Sequence, residues 1–299
     1  MKKWLMVIRA PFLLLAVVLA FLGTSVAWYE SREFGGAFHI GYAWLAGLGI
    51  LLAHASVNVF NEYFDYKSGV DFKTRKTPFS GGSGALPSGL LKPGQALALG
   101  VGTLVAIVPI GIYFIIVSGW WLLPLLLVAA ACIVLYTPFI LKTGYPEWAP
   151  GLGLGILPVL GAYFVHTGAY TVPALIASVP SGILVHNLLL LNEFPDVEAD
   201  TSVNRRTLPI VAGNGKASIV YSVLTGLVYV WIIGWVVVGQ MPAFSLLGLL
   251  TLPFAIKAIR GSLKHQDMDK LVPAMASNVM VVLLTQLLMG IGYVLAGVF

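Results

Sequence analysis

The chain has 299 residues, of which 59% are apolar and only 10% are charged. Soluble domains carry about 25% charged residues, so this composition excludes an ordinary soluble protein and indicates an integral membrane protein. The net charge of +5 is explained by the membrane topology derived below, so it does not call for a nucleic-acid partner.

Apolar segments of about 20 residues, the length that an α-helix needs to cross a bilayer, recur along the chain. Nine such segments predict an all-α integral membrane protein with nine transmembrane helices. In chain order they cover about 10–28, 40–63, 94–117, 120–141, 151–167, 171–191, 216–239, 243–259 and 272–298.

The positions of the basic residues agree with this topology. If the N-terminus lies in the cytoplasm and the nine segments alternate in direction, every Lys and Arg except Arg32 falls on the cytoplasmic side. Cytoplasmic loops of membrane proteins carry an excess of Lys and Arg. We therefore expect a multi-pass protein of a prokaryotic cell membrane, with its functional site facing the cytoplasm.

Two short sequences in the chain are near copies of each other. Asn61–Asp65 reads NEYFD, and Asn192–Asp196 reads NEFPD. Each adjoins an apolar segment, and each is followed by a further aspartate, Asp71 or Asp200. Each copy comes at the end of the second segment in a group of four, which indicates an internal duplication.

The duplication predicts how the chain is organised. We expect one domain over residues 1–299, in which two four-helix halves, about 10–141 and 151–259, surround a central cavity. The ninth segment, 272–298, is an extra helix. Because both copies enter the membrane in the same direction, the repeat is parallel and not inverted.

Acidic residues in so apolar a chain indicate a special site. A carboxylate at membrane depth costs about 2.5–3.5 kcal/mol, and several together repel one another. A divalent cation removes both problems, and oxygen-rich clusters suit Mg²⁺ or Ca²⁺. Mg²⁺ is typically held by a few carboxylates together with substrate phosphates. The motifs therefore predict a metal-bridged diphosphate site that contains Asp65, Asp71, Asp196 and Asp200.

The spacing within each motif places its residues together. Asn61 and Asp65 are four residues apart and share one helix face, and the same spacing joins Asn192 to Asp196. Pro195 removes a backbone hydrogen bond, so we expect the second helix to kink or end there. Helix capping at the membrane surface is the alternative interpretation, but two matched motifs favour a shared site.

A diphosphate site also needs positive charge. Several basic residues adjoin the motifs, and each is also explained by the topology: Arg9, Lys73, Arg75, Lys76, Lys142, Arg205 and Arg206. Lys142, which follows Tyr136, and Arg206 stand out because they lie beside segments that carry other functional signals.

Four polar residues and one loop have open roles at this point. Glu62 and Glu193 directly follow the two asparagines, so they are partners of the metal ligands, solvated groups or metal ligands themselves. His54 and His186 precede the motifs, as substrate contacts or as buried hydrogen-bonded side chains. The Gly-rich segment Thr77–Gly84 predicts a loop that is able to cover the site.

The motifs resemble those of the UbiA superfamily of intramembrane prenyltransferases. The resemblance extends over nearly the whole chain and rests on Asn61-x-x-x-Asp65 with Asp71, Asn192-x-x-x-Asp196-x-x-x-Asp200, Tyr136 with Lys142, and Arg206-Thr207-Leu208. Within the superfamily the chain is most similar to the 1,4-dihydroxy-2-naphthoate polyprenyltransferases of menaquinone synthesis, through residues 61–71 and 158–164. It departs from the usual pattern at Glu62 and at Glu193-Phe194-Pro195.

The resemblance implies a mechanism and a set of roles. Two Mg²⁺ ions, held by the four aspartates with Asn61 and Asn192, bind the diphosphate of a polyprenyl donor. An electron-rich aromatic acceptor, expected to be 1,4-dihydroxy-2-naphthoate, attacks the cation-like allylic carbon, while the prenyl tail lies between helices. The residues expected to contact the diphosphate are Arg9, Lys73, Arg75, Tyr136, Lys142 and Arg206.

Three alternatives stay open. Residues 86–89 also resemble other branches of the superfamily, so 4-hydroxybenzoate or a prenylglyceryl phosphate is an alternative acceptor. An ion-coupled transporter with acidic sites would also contain a parallel repeat and buried aspartates. A lipid-binding scaffold without activity is the third, although both aspartate sets are complete. The oligomeric state does not follow from the sequence.

Overall fold

The computed structural model describes residues 2–299, and within this range all regular secondary structure is helical. Eight helices are long and apolar enough to cross a membrane. With one shorter apolar helix they are numbered α1 to α9 in chain order: Ala10–Glu33, Ile40–Ser68, Pro93–Ser118, Leu122–Leu135, Trp148–Thr167, Val172–Thr201, Asn214–Val237, Ala243–Ser262 and Met268–Ala296. The predicted all-α membrane architecture is confirmed.

Helix α4 differs from the predicted span over 120–141. It has 14 residues, or about 21 Å at 1.5 Å per residue, which is shorter than the hydrocarbon core of about 30 Å. Pro138 disfavours helix at the residue before it and lacks a backbone N–H, and only one short 3₁₀ turn, Ile140–Lys142, follows. The structure thus supports eight candidate spans, and the ninth remains a prediction.

Helix α6 lies at the centre of the bundle. In its most apolar window 78% of the residues are buried, against 17% in α3. The largest core cluster joins α6 to α1, α5, α7 and α9 through Leu19, Leu22, Tyr163, Leu184, Ile232 and Val281. The exposed apolar side chains of α3 and α4 suit contact with lipid.

Helices α5 and α6 approach each other closely. A π-helical turn, Leu152–Ile156, interrupts α5. A Cβ atom on Gly155 would lie 2.7 Å from the Cα atom of Gly182, so no larger residue fits at this contact without a backbone shift. This close contact fixes the wall formed by α5 against the helix that carries the second motif.

The two motif-bearing helices, α2 and α6, end at the same side of the bundle, where their polar residues meet. This agrees with the expectation that the two copies face each other. The division into halves at 10–141 and 151–259, with 272–298 as an extra helix, remains a prediction, as does the orientation of the bundle in the membrane.

Candidate active site

The first motif lies on the last turns of α2. The helix ends at Gly69, whose φ of 80° is a left-handed conformation that glycine adopts without strain. The next residues form a short 3₁₀ turn, Val70–Phe72. This turn buries Asp71, which is 6% exposed, next to Asp65, which is 7% exposed. The change of direction at Gly69 therefore brings both aspartates to one place.

The second motif lies where α6 changes its geometry. The regular helix ends at Asn192, and a 3₁₀ turn, Phe194–Asp196, follows with Pro195 in its first turn. A last helical turn, Val197–Thr201, carries Asp200, which is 5% exposed. The interruption predicted at Pro195 is confirmed, and it sets Asp196 and Asp200 on differently oriented segments.

Arg205 connects the two motifs. Its Nη1 atom donates to Asp200 Oδ1 at 2.7 Å, and its Nη2 atom donates to Asp65 Oδ1. All three side chains are largely buried. One guanidinium group therefore partly neutralises a carboxylate from each motif and holds the ends of α2 and α6 together.

The sequence singled out Arg206, but the structure brings its neighbour Arg205 into the site. Asn204 adopts a left-handed φ of 61°, so the chain folds back and the Arg205 N–H bonds to Asp200 O at 3.1 Å. The Arg206 N–H bonds to Leu141 O at 2.8 Å, and its side chain is exposed. The turn at 201–204 decides which arginine faces inward.

Glu62 holds a loop and the N-terminal segment at the site. It is fully buried, and its carboxylate accepts from Arg9 Nε at 2.8 Å, from Ser83 N at 2.7 Å and from Ser83 Oγ at 2.6 Å. Arg9, in a left-handed conformation with φ of 51°, also donates to Asn61 Oδ1 at 3.1 Å. Both oxygens of Glu62 are thus engaged, so Glu62 fits a positioning role better than metal binding.

The Gly-rich loop is packed onto the site. A Cβ atom on Gly82, whose φ is +70°, would lie 2.8 Å from Asp71 Oδ1. Only glycine fits such a contact in this backbone conformation. The loop expected from Thr77–Gly84 therefore lies against the first motif, attached through Ser83, and Ser80, Gly81 and Gly82 form part of the cavity wall.

The two motifs line one cavity of about 720 Å³, a volume typical of small-molecule sites. All six predicted metal ligands contribute to its wall, together with Arg9, Tyr136 and Arg205: Asn61, Asp65, Asp71, Asn192, Asp196 and Asp200. The rest of the wall is mainly apolar and comes largely from α2, α3, α4 and α5. One end of the cavity is thus polar and charged, and the remainder is apolar.

Besides Arg206, three of the predicted diphosphate contacts lie away from this wall in the described structure. Lys73 is exposed and donates to Ser202 Oγ at 3.1 Å. Arg75 lines a separate surface cavity of about 380 Å³. Lys142 is exposed in the 3₁₀ turn after α4. Their roles, like that of Arg206, remain predictions, whereas Arg9 and Tyr136 do line the cavity.

The oxygen atoms at the polar end fit a divalent cation. Asp71 Oδ2, Asn192 Oδ1 and Asp196 Oδ1 are buried and have no hydrogen-bond partner among residues 2–299. In the same range, no three Asp, Glu, His or Cys side chains converge closely enough to enclose an ion by themselves. Mg²⁺ is commonly held by one or two carboxylates and completed by substrate phosphate, so the three unpartnered oxygens are candidate ligands.

The excess of negative charge at the first motif also favours a bound cation. Burial raises the pKa of Asp71 to about 7, with repulsion from Asp65 and Glu62 adding to the effect and the cations of Arg9 and Lys76 opposing it. The carboxylates at this end are thus under-neutralised by the protein's own cations. A bound cation would favour their ionised form.

The two histidines differ in their surroundings. His54 is 3% exposed, lines the cavity and has no partner for Nδ1 within the described chain. His186 lies 2.7 Å from the Tyr145 hydroxyl through Nε2 and 3.0 Å from Asn187 Oδ1 through Nδ1. His186 thus matches the interpretation as a buried hydrogen-bonded residue, and His54 stays available to a ligand.

The geometry agrees with comparisons to known proteins. The profile of the UbiA prenyltransferase family matches residues 16–282, which is most of the chain. The chain belongs to the UbiA prenyltransferase family. This UbiA family member is therefore a prenyltransferase. The 1,4-dihydroxy-2-naphthoate octaprenyltransferase of Bacillus subtilis (strain 168) is 29% identical to it over 226 residues, 75% of this chain and 71% of the relative.

Solved structures share the fold of this UbiA family member. The apo structure of a UbiA homologue from Aeropyrum pernix K1 superimposes with a TM-score of 0.72 at 16% identity, over 95% of this chain and 98% of the other. A homologue from Archaeoglobus fulgidus bound to GPP and Mg²⁺ superimposes with a TM-score of 0.57 at 14% identity, over 96% and 99% of the chains. The resemblance drawn from the paired motifs is confirmed.

Proposed function

We propose that this UbiA family member transfers a polyprenyl group from a prenyl diphosphate to 1,4-dihydroxy-2-naphthoate within the membrane, with its polar end on the cytoplasmic side. The observation that carries the proposal is the division of one cavity into a charged end, built from both motifs, and an apolar remainder. A prenyl diphosphate has the same division. The choice of acceptor is supported by the similarity to the 1,4-dihydroxy-2-naphthoate octaprenyltransferase of Bacillus subtilis.

The charged end is where the diphosphate would bind. Asp71, Asn192 and Asp196 present the unpaired oxygens that would hold Mg²⁺, and Asp65 and Asp200 complete the set of carboxylates. Bound Mg²⁺, which we expect as two ions, would stabilise the negative charge that develops on the leaving diphosphate. The homologue from Archaeoglobus fulgidus, with GPP and Mg²⁺ bound, supports this assignment.

Two guanidinium groups would meet the same diphosphate. Arg9 and Arg205 both line the cavity and are fixed by carboxylates. Arginine presents several N–H donors that match phosphate oxygens. Arg9 reaches the site from the N-terminal segment and Arg205 from the turn after α6, so the two cations flank the diphosphate position from different parts of the chain.

The whole cavity, from its charged end to the far end of its apolar wall, is long enough for a prenyl diphosphate. Lining residues of α2 extend from Ala46 to Asp65, a separation of 19 residues (65 minus 46) or about 28 Å along the helix. Between Ala46 and Ala53 the lining residues of α2 are apolar. The tail would therefore lie along α2, and the greasy walls would keep water away from the allylic carbon.

The reaction follows from this placement. The allylic C–O bond breaks as diphosphate leaves toward the arginines and the metal, and the allylic carbon becomes cation-like. An electron-rich ring carbon of the acceptor then forms the new C–C bond, and the group that this carbon carried, a proton or its carboxylate as CO₂, leaves and restores the aromatic ring. The protein's contribution is to hold donor and acceptor together in a site without competing water and to stabilise the leaving group.

The distribution of charge disfavours the transporter alternative. Acidic residues are confined to one end of the cavity, and its apolar remainder offers little to replace the hydration shell of an ion. An ion that crossed the bundle along this route would lose water without gaining ligands. The same wall suits a hydrocarbon chain.

Product analysis tests the proposal. Purified protein with Mg²⁺ and geranylgeranyl diphosphate should prenylate 1,4-dihydroxy-2-naphthoate when this acceptor, 4-hydroxybenzoate and a prenylglyceryl phosphate are offered in turn. EDTA should stop the reaction, because the carboxylates and the diphosphate repel each other without a bridging cation. A product from one of the other acceptors alone would refute the naphthoate assignment, and no product from any acceptor would refute the proposed function.

A further inference from the structure

One buried carboxylate in the cavity wall has no use in the donor site. Glu193 is 8% exposed and lines the cavity, yet both of its carboxylate oxygens lack a hydrogen-bond partner among residues 2–299. The other glutamate beside a motif asparagine, Glu62, has both oxygens engaged by Arg9 and Ser83. A buried polar group normally has a partner, so the partner of Glu193 is missing from the protein itself.

The nearest polar neighbour of Glu193 is a second carboxyl group, and two carboxyl groups bond each other only when they share a proton. Glu147 lies beside it and is fully buried. One Glu147 oxygen accepts from Leu208 N at 2.7 Å, and its other oxygen is also unpartnered within the described chain. Two adjacent carboxyl groups are rich in acceptors and poor in donors. When both groups are ionised, three carboxylate oxygens are left for the hydrogen-bond donors of a ligand.

The cavity wall also contributes a phenol and apolar residues to this region. Tyr136, whose hydroxyl end lies near Glu193, lines the cavity. Pro150, Gly153 and Leu189 lie in the same wall and are apolar. Gly153 lets this wall pack closely, since a Cβ atom there would lie 2.8 Å from the Cβ atom of Cys132. Glu193 thus lies at the border between the charged end of the cavity, with Asp200 and Arg205, and its apolar wall.

We propose that Glu193 binds a hydroxyl group of the aromatic acceptor, with Glu147 as its positioning neighbour. The inference rests on the proposed function, because a dihydroxylated aromatic ring carries both the donors that the carboxylate lacks and the flat apolar faces that the wall accepts. It places the acceptor at the second motif, next to the donor's diphosphate. A site built to bond a hydroxyl rejects analogues that lack it, because the protein group is then left unpaired.

Direct binding of the acceptor tests this role apart from catalysis. With Mg²⁺ and geranylgeranyl thiodiphosphate present, the fluorescence of bound 1,4-dihydroxy-2-naphthoate is titrated for the wild type, Glu193→Gln and Glu193→Leu. We expect affinity for the acceptor to fall about 10- to 100-fold in Glu193→Leu, the effect of losing a hydrogen bond to a charged group, and less in Glu193→Gln. Glu198→Gln, an exposed carboxyl on the same segment, should bind like the wild type.

An analogue without one hydroxyl sharpens the test. Two analogues are used, 1-hydroxy-2-naphthoate and 4-hydroxy-2-naphthoate, and the wild type should bind each more weakly than 1,4-dihydroxy-2-naphthoate. In Glu193→Leu, one of the two analogues should bind as tightly as the dihydroxy compound, because the hydroxyl that it lacks no longer has a partner. Binding of the thiodiphosphate and of Mg²⁺ should not change in either Glu193 variant. Because Glu193→Gln keeps the size of the side chain and removes only a buried charge, it keeps the test valid if Glu193→Leu fails to fold.

Each other outcome is decisive. If Glu193→Gln loses Mg²⁺ or thiodiphosphate binding, Glu193 belongs to the metal site and the inference is wrong. Glu193 does not contact a hydroxyl if its variants bind the dihydroxy acceptor as tightly as the wild type does. The same conclusion follows if the variants lose the same factor in affinity for the acceptor and for both monohydroxy analogues. If the wild type binds no aromatic acceptor at all, it is the proposed function that fails.

Discussion

Replacing Asp196 with Asn is expected to stop prenyl transfer and to stabilise the metal-free protein at the same time. Asp196 Oδ1 is buried and has no hydrogen-bond partner among residues 2–299. Without a bound cation, this unpaired carboxylate therefore lowers the free energy of unfolding. Loss of a residue that only supports a metal ligand lowers activity by about 10- to 100-fold. Because Asp196 would bind the metal directly, the turnover rate should fall by more than that. The free energy of unfolding in EDTA should rise, by up to about 2.5 kcal/mol.

The measurement is paired. Turnover is followed at saturating Mg²⁺ and donor, and thermal unfolding is followed in detergent with EDTA. Asp269→Asn is the matched control, because Asp269 is exposed at the start of α9 and should change neither quantity. A folded Asp196→Asn protein with near-normal turnover would show that the second motif does not hold the catalytic metal.

Arg205→Gln is expected to lower the free energy of unfolding of the metal-free protein strongly. Arg205 bonds Asp65 and Asp200 across the two motifs, so its removal leaves two buried carboxylates without their shared cation. Breaking a buried ion pair in this way costs about 3–5 kcal/mol. Mg²⁺ should restore part of the loss, because it supplies the positive charge that the variant lacks.

Thermal unfolding with EDTA and with millimolar Mg²⁺ measures both effects. The stabilisation by Mg²⁺ should be larger in Arg205→Gln than in the wild type. Arg206→Gln offers a comparison at the adjacent position, where an exposed side chain should change stability by less than about 0.5 kcal/mol. Equal losses in the two variants, or an Arg205→Gln loss that Mg²⁺ leaves unchanged, would contradict the bridging role.

Most of the fold follows from the apolar segments, and the exceptions have local causes. Helix α2 ends at Ser68, beyond the predicted end at residue 63, because the polar motif continues the helix after the apolar window ends. Helix α4 ends early, at Leu135, because Pro138 follows. Hydropathy reports where a segment is apolar, and the helix boundary depends on proline, glycine and the residues that cap it.

That the two motifs line one cavity was predictable because their spacing repeats, and their role as metal ligands stays a prediction. Asn61 and Asp65 lie on α2 as the i, i+4 spacing indicated, whereas Asn192 and Asp196 line the same cavity although the regular helix ends at Asn192. The choice of Arg206 over Arg205 shows where a local pattern fails. A left-handed residue in the turn, Asn204, sets which of two adjacent side chains faces inward, and the sequence gives little warning of it.

Long-range contacts were also outside the reach of the sequence. Glu62 bonds Arg9, 53 residues earlier, and Ser83, 21 residues later. No local spacing connects these three, so the structure was needed to relate Glu62 to the loop. The same holds for Glu193 and Glu147, whose proximity depends on how α6 packs against the segment that begins α5.

The account depends most on the claim that the two motifs together bind a diphosphate through Mg²⁺. Binding of a prenyl thiodiphosphate, which ionises slowly, tests this claim without turnover. The wild-type protein should bind it with Mg²⁺ and fail to bind it in EDTA, and a structure of the complex should show the diphosphate between Asp71 and Asp196 with the tail along α2. Equal binding without divalent cations, or a diphosphate bound away from both motifs, would contradict the account.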